Sequence, residues 1–587
     1  MNKKLLVGIA AAVGVVSLTL AGCSSGGTAS PMGDDTPVKG GTVTWLDIVS
    51  QFTATDPVGV YPGEESAGLR RLVYRGLTAL PITDDPNPEV VPDLATDTGT
   101  TQDEGRTWSF TLKDGVKWQD ATPITCEDLQ YGLARSYDMS LWGPGGGVGT
   151  AYLAQYGLYD PAAPDYDLAS EYTGPLSGTA EAQAHFDNAA SCDGNTITYH
   201  FKQAWPDFPY ATAALFTADP YEESFDKGQQ NLWTVNSNGP YMLDGTTDFD
   251  PNTGGTFVRN PNYDASTDSA DVRGAYPDVV KLEIVADQET VTERLIADTG
   301  DDQAAFTPGN IPASKYSEIT DALSSRTVTS PSPYTRFIEI NYLTLSDPDV
   351  RRALQLATDK EGVIQALGGE NYGTPSSTII SESIPGFQEN PSTKDDDPAG
   401  DPEAAKKLLD GRTPTIRFAF SDTPSWGQVA SVLEQSWSAA GFQVQLVPVP
   451  PTARPDYRSR VMSKDKPIDA FMGAWSADWS SLFPVVAPTL QSNPADATDG
   501  VGFNYGFYSN PEVDAAIAEA TSSTDRATQQ ADLLKADQLA AADGAYIPLV
   551  QEKNYFIHGS RLGGFLPDAA SGYYPDLGGM YVRSDLR

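Results

Sequence analysis

Few residues of this chain have the types and spacing needed for metal or nucleophilic chemistry. Its 587 residues include three histidines and three cysteines, and His185, His200 and His558 are too far apart to form a helical ligand pair. Asp248 begins a pattern similar to a calcium loop, but Arg259 stands where a bidentate glutamate is needed. We therefore predict no metal site and no cofactor.

Two further patterns fail the tests for catalysis. The cluster Gly143–Gly149 lacks the glycine needed at the sixth position of a dinucleotide loop, and Ser177 lies one place late for a nucleophile elbow. A carboxylate pair for glycan hydrolysis needs only spatial proximity, and a chain with 79 acidic residues offers many such pairs. A secreted glycan hydrolase therefore stays open as an alternative, although we predict that the protein is not an enzyme.

Composition and net charge limit the kinds of molecule that this protein can bind. The chain carries 79 Asp and Glu against 38 Lys and Arg, which gives a formal net charge of −41 at pH 7. A nucleic-acid binder needs a basic surface, so this class is excluded. Hydrophobic residues make up 40% and aromatic residues 10% of the chain, which indicates folded domains with an acidic surface rather than disorder.

The N-terminal segment indicates where the protein acts. Lys3 and Lys4 precede an apolar run that is shorter than the ~20 residues of a comfortable membrane span, so residues 1–22 are predicted to be a signal peptide. The sequence ending at Cys23, Leu-Ala-Gly-Cys, resembles a bacterial lipobox. That resemblance implies cleavage before Cys23, its lipidation, and attachment to the outer face of the cytoplasmic membrane, in an extracellular or periplasmic setting. Residues 23–40 are predicted to be a flexible tether.

Two cysteines remain in the exported part of the chain, Cys126 and Cys192. An oxidising compartment with one isolated pair favours a disulfide, which we predict between them. The alternative is two buried free thiols, because cysteine is among the most buried residue types.

The elements that position these residues differ between the two halves of the chain. Alternating apolar residues predict a β-hairpin over Arg106–Asp120 and strands at Ile197–Phe201, around Phe257 and at Val280–Ile284. After about residue 330 the pattern becomes that of an α/β domain.

This second half contains a predicted helix over Pro348–Leu367 and a β-α-β unit between Ile416 and Leu446. A helical region over Pro511–Ala542 and an apolar strand at Tyr546–Val550 follow, and this strand could rejoin the first lobe.

Five groups of residues carry a family resemblance in chain order. They are Leu72–Thr78, Trp108–Leu129, Asn238–Tyr241 with Arg259–Tyr263, Asp349–Asp359, and Ala474–Asp478. Together they resemble the solute-binding proteins of peptide ABC transporters, the family that binds dipeptides, oligopeptides and nickel.

The resemblance implies an α/β, periplasmic-binding-protein-like fold with two lobes hinged around a cleft. Lobe I would comprise residues 41–330 and 538–587 with an inserted subdomain, and lobe II residues 331–537. The implied function is capture of a peptide in the cleft and its delivery to an ABC import permease and its ATPase by a monomeric binding protein. The alternative ligands are an oligosaccharide or a metal chelate.

The resemblance also implies site residues. Asp478 would receive the α-amino group of the ligand, Ala474 and Ser476 would offer main-chain contacts, and Trp475 would form a pocket wall. The alternative is that Asp478 only caps a local turn. The residues after Asp478 begin with Trp479, where many relatives have an Asp-Pro or similar turn, so the pocket shape is expected to differ.

Overall fold

The computed structural model describes residues 36–49, 52–61, 63–142, 147–450, 454–463, 467–492 and 503–583. The predicted signal peptide 1–22, Cys23 and most of the predicted tether lie outside these ranges. Within the described ranges, no helix is long and apolar enough to cross a membrane.

The described residues form nineteen strands. In chain order, they are β1 (Thr42–Ile48), β2 (Thr78–Ala79), β3 (Val91–Pro92), β4 (Thr100–Gln102), β5 (Thr107–Thr111), β6 (Ala190–Asp193), β7 (Thr196–His200), β8 (Tyr241–Leu243), β9 (Gly254–Arg259), β10 (Val279–Val285), β11 (Ala305–Phe306), β12 (Thr327–Ile340), β13 (Gly373–Pro375), β14 (Thr415–Ser421), β15 (Gln443–Val449), β16 (Ala470–Trp475), β17 (Tyr546–Ile557), β18 (Leu562–Gly563) and β19 (Tyr581–Val582).

The same residues form fifteen α-helices. They are α1 (Glu64–Leu72), α2 (Cys126–Arg135), α3 (Val148–Tyr156), α4 (Leu168–Glu171), α5 (Ala180–Ala189), α6 (Phe208–Ala214), α7 (Gln288–Ala297), α8 (Pro348–Leu356), α9 (Lys360–Leu367), α10 (Pro402–Leu409), α11 (Pro424–Ala440), α12 (Arg454–Val461), α13 (Phe483–Leu490), α14 (Pro511–Ser522) and α15 (Arg526–Ala542).

The first large sheet has the strand order β11-β1-β10-β9-β8. Strand β1 runs parallel to β10, with Trp45 opposite Leu282, and β10 is antiparallel to β9, with Val280 opposite Phe257. These four side chains are buried in one core, as expected where alternate residues of a strand face the interior. The predicted strands around Phe257 and at Val280–Ile284 are confirmed.

A smaller sheet, β4-β5-β7-β6, corrects the predicted hairpin over Arg106–Asp120. Strand β5 pairs with β7, with Phe110 opposite Ile197, rather than with the residues after the turn. The chain does turn at Gly115, where φ is +84°, but Val116 then accepts a hydrogen bond from the amide of Ile124, at 3.1 Å. The turn signal predicts where the chain reverses, but it does not determine which strand pairs with β5. In this sheet that partner is β7.

A disulfide joins this sheet to the helix beside it. Cys126 is the first residue of α2, where Thr125 caps the helix by accepting from the amide of Asp128. The sulfur of Cys126 is bonded to that of Cys192 on β6, with the two Cα atoms 5.8 Å apart. The bridge therefore ties the start of α2 to the edge of the four-stranded sheet.

The second large sheet has the order β13-β17-β12-β16-β14-β15 and contains the predicted β-α-β unit. Strands β14 and β15 are parallel, with Ile416 opposite Val444. Between them, α11 begins with Pro424 and ends at Gly441, whose φ of +104° suits glycine. The predicted unit is confirmed, and its second strand runs to Val449, beyond the predicted Leu446.

The predicted single helix over Pro348–Leu367 is wrong, because it is two helices, α8 and α9. Asp359 separates them and accepts a hydrogen bond from the amide of Gly362, at 2.7 Å. This is N-cap geometry, so the side chain of Asp359 starts a second helix.

Strand β17 lies in the second large sheet, where Ile547 stands opposite Ile338 of β12. The chain then returns to the first sheet, because Leu562 and Val582 are buried in the same core as Trp45. It thus crosses between the two sheets after β17, and the lobe boundaries at 330 and 538 stay predictions.

Candidate ligand-binding site

A cleft of about 1020 Å³, including its open mouth, lies between segments from both halves of the chain. Its first-half lining comes from residues within 63–71, 78–80 and 213–214, and from Arg273. Its second-half lining comes from residues 333–334, 383–385, 476–480 and 569–574. Widely separated segments therefore meet at this surface, as the resemblance to two-lobed binding proteins implies.

The segment that leaves β16 enters this cleft directly. Ser476 and Asp478 both line it, which places two of the four predicted ligand residues at the same surface. Central strand β16 holds the start of this segment, because it is paired on both sides, with β12 and with β14.

The other two predicted ligand residues do not line the cleft. Ala474 pairs with Arg336 within the sheet. The indole of Trp475 donates to the carbonyl of Pro484 at 2.7 Å and packs on Phe503, with ring centroids 4.0 Å apart. These contacts turn Trp475 toward the start of α13, so we do not retain it as the pocket wall.

Asp478 is buried to 3% exposure and is held by a tyrosine from the other half of the chain. The hydroxyl of Tyr152, on α3, donates to Oδ2 of Asp478 at 2.6 Å. Burial, and then the neighbouring Asp478, raise the pKa of Tyr152 well above its usual value of 10.0, so the hydroxyl keeps its proton. A buried carboxylate oriented in this way favours a cationic partner, because charges interact more strongly where the effective dielectric is low.

Trp479 is a site residue that the sequence marked only as a departure from the family pattern. The residue lines the cleft, and its indole donates to Oδ2 of the fully buried Asp207 at 2.6 Å. Its ring also meets that of Tyr152 edge-on, with centroids 4.5 Å apart. Burial raises the pKa of Asp207 even though the indole of Trp479 donates a hydrogen bond to it. The contact with Asp207 could not be anticipated, because the two residues are 272 positions apart.

Three arginines in the cleft wall were also missed by the sequence analysis. Each is held by a buried carboxylate, at 2.6 to 2.7 Å: Arg70 by Asp219, Arg71 by Asp576, and Arg273 by Asp93. A buried aspartate therefore compensates the positive charge of each of these arginines. Such a wall shapes the cleft without presenting an uncompensated cation.

Several segments that carry the family resemblance meet at one buried arginine. Arg75 pairs with Asp93 at 2.8 Å, its amide donates to Asn238 Oδ1 at 2.7 Å, and its guanidinium faces the ring of Tyr263 at 5.9 Å. The segments Leu72–Thr78, Asn238–Tyr241 and Arg259–Tyr263 thus form a structural junction. Apart from Thr78, which lines the cleft, their place in the pattern reflects architecture rather than ligand contact.

The histidines have structural surroundings in the described part of the chain. His185 shares a hydrogen bond of 2.7 Å with the buried Asp160 and stacks on Tyr166. Burial lowers the pKa of His558 to about 4, so this side chain is neutral near pH 7. The described residues contain no group of three or more His, Cys, Asp or Glu side chains able to hold a metal.

Comparison with known proteins identifies the family. Residues 89–497 match the pattern described as bacterial extracellular solute-binding proteins, family 5. The chain belongs to this family. Its members are binding proteins of transporters and not enzymes, so the predicted absence of catalysis agrees with the family of this solute-binding protein.

Named relatives cover 80–94% of this solute-binding protein. It is 23% identical over 476 residues to the probable D,D-dipeptide-binding periplasmic protein DdpA of Escherichia coli K12, covering 80% of each chain. It is 23% identical over 555 residues to the oligopeptide-binding protein OppA of Bacillus subtilis 168, covering 91% of this chain and 90% of that one. Among solved structures, clavulanic acid biosynthesis oligopeptide binding protein 2 superposes with a TM-score of 0.80 at 24% identity, covering 94% and 97% of the two chains. The predicted two-lobed α/β fold is confirmed.

Proposed function

We propose that this solute-binding protein captures peptides in the cleft and places their α-amino group against Asp478. The proposal rests on the position of Asp478. This residue is buried, lines the cleft and lies in the segment that immediately follows strand β16. The names of its relatives support a peptide as the ligand, since they are described as dipeptide-binding and oligopeptide-binding proteins.

The chemistry of capture needs no covalent step. An ammonium group at Asp478 forms a charge-assisted hydrogen bond in a site shielded from water. The main chain at Ser476 would pair with an extended ligand much as an added strand does, which gives affinity that does not depend on the ligand sequence. Side-chain pockets then supply the preference.

Calorimetry with the purified exported protein tests this assignment. Unmodified peptides should bind, whereas Asp478→Asn or N-acetylation of the peptide should weaken binding by about 10–100-fold, the value of one charged hydrogen bond. Asp301→Asn, which changes an exposed acid outside the cleft, is the matched control and should bind as the wild type does. Binding of oligosaccharides or metal chelates in place of peptides would contradict the proposal and favour the alternative ligands.

We also propose that the protein acts at the outer face of the cytoplasmic membrane, lipidated at Cys23, as a monomer that delivers its ligand to an ABC permease. Several acyl chains on one residue anchor a protein stably at ~0.8 kcal/mol per buried CH₂. Mass spectrometry of the protein extracted from membranes should show a chain that begins at Cys23 and carries acyl groups, and Cys23→Ala should abolish the acylation. A wild-type chain without acyl groups would contradict lipid anchoring.

Closure of the cleft is the step by which the permease would recognise the loaded protein. We assign the moving bodies to residues 41–330 with 538–587, and to residues 331–537, with the paired strands β12 and β17 as the connection between them. Ligand contacts made only in the closed form would shift the population toward it. Small-angle scattering should then show a smaller radius of gyration with peptide than without, and an unchanged radius would argue against hinged lobes.

A further inference from the structure

The cleft wall formed by residues 569–574 contains a tyrosine with an unusual backbone. Tyr573 has a φ of +63°, in the left-handed region that residues with a side chain seldom occupy. It lines the cleft and is only half-buried there. Such conformations persist only where the surroundings enforce them, and they cluster at ligand-binding positions.

Contacts on both sides of the peptide unit hold Tyr573 in this conformation. Its amide donates to the carbonyl of Asp568 at 2.6 Å. Its own carbonyl accepts from Asn554 Nδ2 at 3.0 Å and from Ser330 Oγ at 3.4 Å. Because Ser330 lies on β12 and Asn554 on β17, the segment is fastened to the two long strands of the second sheet.

The ends of the segment are fastened to the first half of the chain. Asp568 accepts hydrogen bonds from the amides of Thr83, at 3.1 Å, and Ser571, at 3.0 Å. Asp576 is paired with Arg71 on α1 at 2.6 Å. Tyr573 is therefore presented to the cleft on a support that is fixed from both halves of the molecule.

Tyr573 belongs to a cleft lining that contains further aromatic and apolar residues, among them Tyr574, Tyr334, Ile384 and Pro385. Burial, and then the carboxylates of Asp568 and Glu382, raise the pKa of the Tyr573 hydroxyl. The arginines that line the cleft are each neutralised by a buried aspartate, as described above. A flat apolar group gains area and ring contacts on such a surface.

We propose that this tyrosine wall binds an aromatic side chain of the ligand, and that Tyr573 determines this specificity. The inference rests on the proposed function, because it concerns the side chain of a peptide held at Asp478. The left-handed backbone at Tyr573 serves to aim its ring into the cleft.

Calorimetry with matched tripeptides tests the inference. The probes are Ala-Ala-Ala, the three tripeptides in which one residue is replaced by Phe, and the same three with Lys. The wild type should bind at least one Phe peptide about 10-fold more tightly than Ala-Ala-Ala. Tyr573→Gly suits the positive φ and removes the ring, so the ratio of Phe-peptide affinity to Ala-Ala-Ala affinity should fall to about 1.

Two variants complete the design. Tyr573→Phe keeps the ring and should keep the preference. Phe507→Gly removes another ring at a positive φ, +55°, outside the cleft lining, and should also keep it. Equal binding of all peptides, tighter binding of a Lys peptide, or a Phe preference that survives Tyr573→Gly would overturn the inference while leaving peptide capture intact. Failure of every peptide to bind would overturn both proposals.

Discussion

Two tyrosines on α3, one turn apart, differ in what their hydroxyl groups contact near the cleft. Tyr152 donates its hydroxyl hydrogen to Asp478 at 2.6 Å. Tyr156 is also buried and stacks on Trp205 with ring centroids 4.1 Å apart, but the partner of its hydroxyl is the neutral side chain of Gln529 rather than a carboxylate. The hydroxyl of Tyr152 therefore orients a buried carboxylate, whereas Tyr156 contributes to the core mainly through its ring.

Removal of the two hydroxyl groups should have unequal effects on stability. Tyr152→Phe takes a donor from a buried carboxylate, and we expect a loss of about 1–3 kcal/mol in the free energy of unfolding. Tyr156→Phe keeps the stacked ring and should change stability by less than about 0.5 kcal/mol. Urea denaturation of both variants measures the difference, and equal losses would refute a special role for the Tyr152 hydroxyl.

The cleft-lining residues that sequence analysis could identify lie within one short segment. Ser476 and Asp478 were predicted from the family pattern because they are close together along the chain, and both line the cleft. The partners of the site residues lie 326 positions away for Tyr152 and Asp478, and 272 positions away for Trp479 and Asp207. No periodicity or spacing encodes such pairs, since they are created only by the packing of the two halves.

At the scale of elements, the Cys126–Cys192 bridge joins a helix to a sheet edge across a sequence separation of 66 residues. A cross-link of this span restricts the unfolded chain by about 4 kcal/mol in the chain-entropy description. Reduction, or the double variant Cys126→Ser and Cys192→Ser, should therefore lower the melting temperature.

Mass spectrometry provides the matched control for this prediction. The intact wild type should gain two hydrogen atoms on reduction, whereas the double serine variant should gain none. An unchanged mass for the wild type would show that the bridge does not form, and an unchanged melting temperature would show that it does not stabilise the fold.

Elements were predicted correctly where their determinants are local. The β14-α11-β15 unit follows from apolar periodicity, with Pro424 at the helix start and Gly441 at its end. The hairpin over Arg106–Asp120 failed because strand pairing is a tertiary choice, and β5 finds its partner in β7, more than eighty residues later. The break at Asp359 was missed because its capping side chain competes with continuation of the helix.

At the scale of the whole molecule, buried carboxylates predict how stability depends on pH. Asp47 is 2% exposed and Glu65 is 3% exposed. Burial raises the pKa of each to about 7, against the hydrogen bonds from Trp45 to Asp47 and from Thr53 to Glu65. The folded state thus keeps protons that the unfolded chain releases above pH ~4.

Stability should therefore fall as the pH rises from about 4 to about 7 and change little from this cause above that. We expect a melting temperature about 2–4 °C higher at pH 5 than at pH 8. Repulsion within a chain of net charge −41 acts in the same direction but is screened by salt, so the scans belong in 0.5 M salt. Glu65→Gln should reduce the difference, and a higher melting temperature at pH 8 would contradict the prediction.

The pairing of Arg71 with Asp576 also has a consequence for biosynthesis. These residues are 505 positions apart, and the core around β1 is closed by Leu562 and Val582 near the other end of the chain. At ~5–20 residues per second, the ribosome makes the second partner roughly 25–100 s after the first. The part of the molecule that is made earliest is therefore among the last to finish folding, so a nascent chain remains incompletely folded until almost all of it has been synthesised.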